Sequence, residues 1–277
     1  MAIGEAGGAA AGYRLALPVR RVTEESPFAW LAAAWRDMRR APGVSLAYGA
    51  AFAGLGFILT LGLWLVGLFY LILPIAAGFM FFGPLAAVGL YDISRRLERG
   101  VPVGFDVPIQ AWRANVGRLA VLGLILMLFL LAWIRIATLL FALLFPGSPP
   151  SWEGLISSLL FTAEGLPLLL AGTAIGAVLA AIAFSISVVS LPVLLDRDVG
   201  TLSAVATSVA AVRANPRVMI GWAALIVLFT AAGLALFFVG LAVTLPLIGY
   251  ASWHAYRDLV VADSTSQPAA AKPGEPG

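Results

Sequence analysis

The sequence has no cysteine and a single histidine, His254. The first absence excludes disulfides, thiolate metal sites and cysteine nucleophiles. The second leaves too few imidazoles for most metal chemistry. Charge is scarce too, with Asp, Glu, Lys and Arg making up 11% of the chain, against roughly 25% in an ordinary soluble domain. The shortage falls in blocks, because residues 41–91, 165–195 and 218–256 contain none of the four. What fills the blocks is apolar, so a soluble globular protein is excluded and they read as membrane spans. P-loop, dinucleotide, HExxH and GxSxG motifs are also missing, so an enzyme is not expected and no catalytic residue, metal or cofactor is assigned.

An uncharged run of 51 residues, 41–91, would make a helix of about 76 Å, whereas a bilayer core is roughly 30 Å thick. The run must therefore fold back. The same arithmetic over the whole chain predicts an all-α, polytopic membrane domain over residues 26–260, with six transmembrane helices at about 44–66, 68–93, 118–145, 165–193, 218–237 and 239–257. Residues 1–25 read as a flexible cytoplasmic arm and 261–277 as a disordered tail rich in Pro, Ala and Ser.

Of the 17 basic residues, all but Arg135 fall on one side of these spans. By the positive-inside rule that side is cytoplasmic, which puts both termini inside. The short basic clusters beside apolar runs fit orientation in a bilayer better than nucleic-acid binding. The dominance of Arg and Ala suggests a bacterial inner membrane.

Pro42, Val116 and Pro216 each open a span, and the residues before them share a pattern. Apolar side chains recur at helical spacing, as Leu31, Trp35 and Met38; Phe105, Ile109 and Trp112; and Val205, Val209 and Val212. Each set is followed by an arginine: Arg39, Arg113 or Arg213. The unit is an amphipathic helix plus a transmembrane hairpin, and three copies of it would be parallel repeats. The even spans share a proline (Pro84, Pro192, Pro246) and an acidic ending (Asp92, Asp196, Asp258).

Three stretches resemble a bacterial integral membrane family catalogued as domain of unknown function 2189: Phe184 to Val218, Leu245 to Val260, and GPLAAVGLYDISRRLERG from Gly83 to Gly100. The resemblance covers about residues 20–260. Its most specific element is the string Trp253-His254-Ala255-Tyr256-Arg257. Some relatives carry the label of cytochrome c oxidase subunit, which implies a larger inner-membrane respiratory complex as a partner. Catalytic identity is excluded by chemistry, since two haems and a copper need several imidazoles. Tyr250 stands where many relatives have a second histidine.

Four features invite a functional reading. His254 has Asp258 one helical turn later, which suits an oriented imidazole; the plainer reading is an interfacial anchor flanked by Trp253 and Tyr256. Arg135, far from the other cations, would pair with Glu164 or Glu153, or else snorkel. Gly172 and Gly176 form a stripe on which another helix can pack closely. The amphipathic helices suit the surface of an anionic bilayer. Together these favour a non-catalytic accessory, scaffold or assembly protein, the alternative being a small transporter or lipid-handling protein.

Overall fold

The computed structural model describes residues 15–144, 152–163 and 165–262. Two helices, α1 (Ser26–Arg40) and α2 (Pro42–Leu65), meet at Ala41. A single 3₁₀ turn at Phe69–Leu71 leads into α3 (Ile72–Ala86), which continues as α4 (Val88–Glu98) after a break at Ala87. Then come α5 (Val107–Leu144) and α6 (Trp152–Phe161). The pair α7 (Gly165–Ser187) and α8 (Ser190–Asp196) repeats the broken form of α3 and α4. The chain closes with α9 (Thr201–Ala214), α10 (Pro216–Ala235) and α11 (Leu241–Leu259).

Five stretches are long and apolar enough to cross a membrane, by length and composition: Pro42–Leu65, Phe69–Glu98, Val107–Leu144, Gly165–Asp196 and Pro216–Ala235. The sixth expected span falls on α11, and it differs in kind. Its second half carries Ser252, His254, Arg257 and Asp258, and Tyr250, Trp253, Tyr256 and Leu259 are almost wholly buried. α11 is the central post of the bundle, packed most extensively on α1 and α2 and also on α10 and α4.

The proline pattern accounts for two of the three expected junctions. Ala41 and Asn215 adopt nearly the same backbone, φ −130°, ψ 57° and φ −133°, ψ 51°. Each precedes a proline, which bars the α conformation from the residue before it and tolerates the first position of the next helix. At the middle junction Val116 has no such effect. There α5 runs unbroken for 38 residues, about 57 Å. The segment 105–115 is thus largely the first turns of a long helix and not a separate surface helix, and the middle unit departs from the other two.

Burial is uneven along the bundle. Val88–Ser94 and Ser190–Leu195 are buried throughout, whereas Ile58, Leu65, Leu139 and Phe237 at the other end are exposed. An apolar side chain facing lipid costs nothing, so only the end that carries the charges needs a conventional core.

The expected flexible arm is, over residues 17–22, a bonded strap. Val19 and Val260 form an antiparallel bridge flanked by Arg20 N–H to Leu259 O, 2.9 Å, and Val261 N–H to Pro18 O, 3.0 Å. The Asn215 side chain accepts from Val22 N–H at 2.9 Å and donates to Arg20 O at 3.0 Å. Pro18 to Val22 are thereby tied to the α9–α10 junction and to the end of α11. Residues 1–14 and the tail 263–277 lie outside the described residues.

Candidate functional site

The acidic endings and the histidine assemble into one polar layer at the buried end. Asp37 faces inward from α1 because it follows Trp30 and Ala34 at spacings of 4 and 3 on the buried stripe. It is 4% exposed. A carboxylate so enclosed is tolerable only when paired. His254 Nε2 lies 2.8 Å from Asp37 Oδ2, and Ser94 Oγ–H donates to the same oxygen at 2.5 Å. With an acceptor on that side, the imidazole carries its proton on Nε2. On the other side Nδ1 is 3.7 Å from Glu98 Oε1. The ring thus lies between carboxylates from α1 and α4 and is bonded to the first.

The network extends past Glu98. Arg257 Nε is 3.3 Å from Glu98 Oε2, and Arg257 also approaches Asp196 at 3.8 Å. Tyr256 O–H donates to Asp196 at 2.7 Å, and Arg99 donates to Asp196 at 3.2 Å. Asp92 pairs with Arg95 and Arg96 on its own helix. Asp258, expected beside His254, instead accepts from Trp30 Nε1–H at 3.0 Å. Trp253 and Tyr256 belong to the core and not to an interfacial belt; their rings meet edge to face at 5.3 Å. Tyr250 hydroxyl bonds Ser45 Oγ at 2.7 Å, tying α11 to α2.

Chemically, this is a clamp. Metal ligation needs donors converging at about 2.0–2.2 Å on one point, whereas Asp37 and Glu98 flank opposite nitrogens of one ring. Among the described residues no group of three His, Asp or Glu side chains is placed to hold a metal ion. An open cleft of about 820 Å³ lined by Arg40, Pro42, Glu98 and Phe105 lies beside the layer. Glu98 is the member of the network that reaches it.

The other expected site residues lie apart. Arg135 is exposed on α5, and among the described residues it has no ion pair or hydrogen bond. Its suggested partner Glu164 lies outside the described residues. Of the small-residue stripe, Gly176 meets Trp133: a Cβ built there would stand 2.9 Å from the indole, so this glycine seats α5 against α7. Gly172 has nothing within 4 Å of such a Cβ. Of the shared apolar positions, Trp35, Phe105 and Ile109 turn outward, as do Phe28 and Leu202, whereas Met38 is buried and Leu31, Trp112, Val205 and Val212 pack against the core.

Asp37, Ser94, Glu98 and the cross-bundle role of Asp196 escaped the sequence reading. Asp37 had left one signal, an acidic residue on the apolar side of an amphipathic helix. The others join partners from different elements, which spacing does not reveal.

The chain matches no curated protein and no solved structure. The string from Trp253 to Arg257 falls outside the segment matched to a family. Over residues 72–196, from α3 to the end of α8, the chain matches the model of DUF2189, a family of predicted integral membrane proteins.

Proposed function

We propose that this multi-pass membrane protein is a non-catalytic accessory, scaffold or assembly protein of a bacterial inner membrane, with both termini cytoplasmic. The observation that carries the reading is the use to which the polar layer is put. Asp37, Ser94, His254, Glu98, Arg257 and Asp196 bond one another across α1, α4, α8 and α11. A reacting group must meet its substrate, and here the imidazole is spent on holding helices in place. The outward stripes with their arginines, Trp35 and Arg39 on α1 and Ile109 and Arg113 on α5, suit the headgroup layer of an anionic bilayer.

The test is extraction from native membranes in a mild detergent, followed by sizing and mass spectrometry of what travels with the chain. A stable larger complex is expected, with no visible absorption band from the chain itself. A Soret band lost in His254→Ala would overturn the reading in favour of a redox subunit.

A further inference from the structure

Away from the polar layer, α2, α3, α5 and the turn between α10 and α11 enclose an apolar cavity of about 230 Å³. Along α2 its lining runs from Phe52 to Leu63, a rise of about 17 Å. That is close to one leaflet of hydrocarbon, about half of a 30 Å core. One wall is made at a conformational cost. Phe237 and Phe238 hold φ of 50° and 65° without being glycine, a backbone region that bulky residues avoid. The turn sets the Phe238 ring against α2 at Gly56, where a Cβ would stand 2.6 Å from it.

The second observation is Arg135. It follows Ile134, which lines the cavity, and it lies 17 residues beyond Arg118, about 25 Å along α5. Arg118 is fixed at the opposite end by Asp198 at 2.8 Å. Arg135 therefore sits at the far headgroup level, exposed and without an anionic partner among the described residues. From that level the cavity runs inward to Phe52 and Phe82. A guanidinium at the headgroup level above an apolar slot one leaflet deep has the layout of a phospholipid, with phosphate outside and chain inside.

We infer that this is a binding site for one phospholipid of the far leaflet, its phosphate held by Arg135 and one acyl chain lying between α2, α3 and Phe238. Arg is suited to the phosphate because its planar fork can donate two hydrogen bonds to one anion. The site is separate from the scaffold reading, which stands whether or not it is occupied.

The experiment reconstitutes the whole chain in phosphatidylcholine vesicles. These contain a trace of phosphatidylglycerol bearing a diazirine near the end of one acyl chain, or a diacylglycerol bearing the same chain. After illumination, peptides are mapped by mass spectrometry. The phospholipid probe is expected to label the cavity faces of residues 52–63 and 72–82 at least fivefold above other lipid-facing segments. Ala76→Phe, which fills the slot, should abolish that excess. Leu63→Trp, near the outer end of the slot, should do the same by an independent route should Ala76→Phe fail to fold. Arg135→Gln, on an exposed position, should reduce phospholipid labelling to the level of the diacylglycerol. Labelling spread evenly over all lipid-facing helices, labelling insensitive to all three substitutions, or equal labelling of the slot by both probes would overturn the assignment.

Discussion

Burying the Asp37 carboxylate is tolerable while both His254 and Ser94 donate to it. Replacing His254 by Ala leaves one donor for a charge that is 4% exposed, so it should destabilise the protein by about 3 kcal/mol, the usual cost of breaking a buried pair from one side. Asp37→Ala alone should cost less, because an imidazole and a hydroxyl left without their acceptor are cheaper to strand than a buried carboxylate. The double variant should cost clearly less than the sum, as contacting residues do. Thermal unfolding in detergent measures all three, and additive losses would refute the pairing. A second residue to test is Asn215, whose amide serves both Val22 and Arg20. Asn215→Ala should cost about 2 kcal/mol, since it removes two part-buried hydrogen bonds of about 1 kcal/mol each. Faster hydrogen exchange at Arg20 and Val22, with the rest of the chain protected, is the expected signature.

Among the elements, the prolines were the legible punctuation. Pro42 and Pro216 break their helices where the sequence says they should, and Val116 lets α5 run on. The repeat was read from spacing that the middle helix satisfies without the break. The apolar stripe with its arginine was legible as a pattern, but its direction was not. Periodicity identifies a face without saying whether protein or lipid covers it, and on α1 the buried stripe is Trp30, Ala34 and Met38. Val116→Pro should import the missing break. Spin labels at Ile109 and Leu128, both exposed, lie 19 residues apart on one continuous helix, about 28 Å. That separation is expected in the parent and a shorter one in the variant, at a stability loss of about 3 kcal/mol. An unchanged distance would mean that α5 is held straight by its neighbours alone.

For the whole molecule, the membrane placement was legible from composition alone, whereas the central position of α11 was not. Its mixed polarity made it look like a short, tightly fitted span, because a sequence cannot show which helix the others surround. The orientation remains a prediction: reporter fusions near Gly100 and after Lys272 should report cytoplasm, and one near Ser151 the opposite side, as the distribution of basic residues requires. The reverse pattern would invert the molecule. The central post also sets the order of assembly. Asp37 waits for a partner 217 positions later and Trp30 for one 228 positions later. Contacts of such long range form late, because the intervening chain must first be made and brought back. As the ribosome delivers this chain, α1 and α2 therefore reach the membrane with an indole unmet and a carboxylate that Ser94 alone can serve until α11 arrives. Nascent chains stopped before residue 241 should be prone to capture by quality-control proteases. Release of α11 should then act as the latch that ends this vulnerable interval.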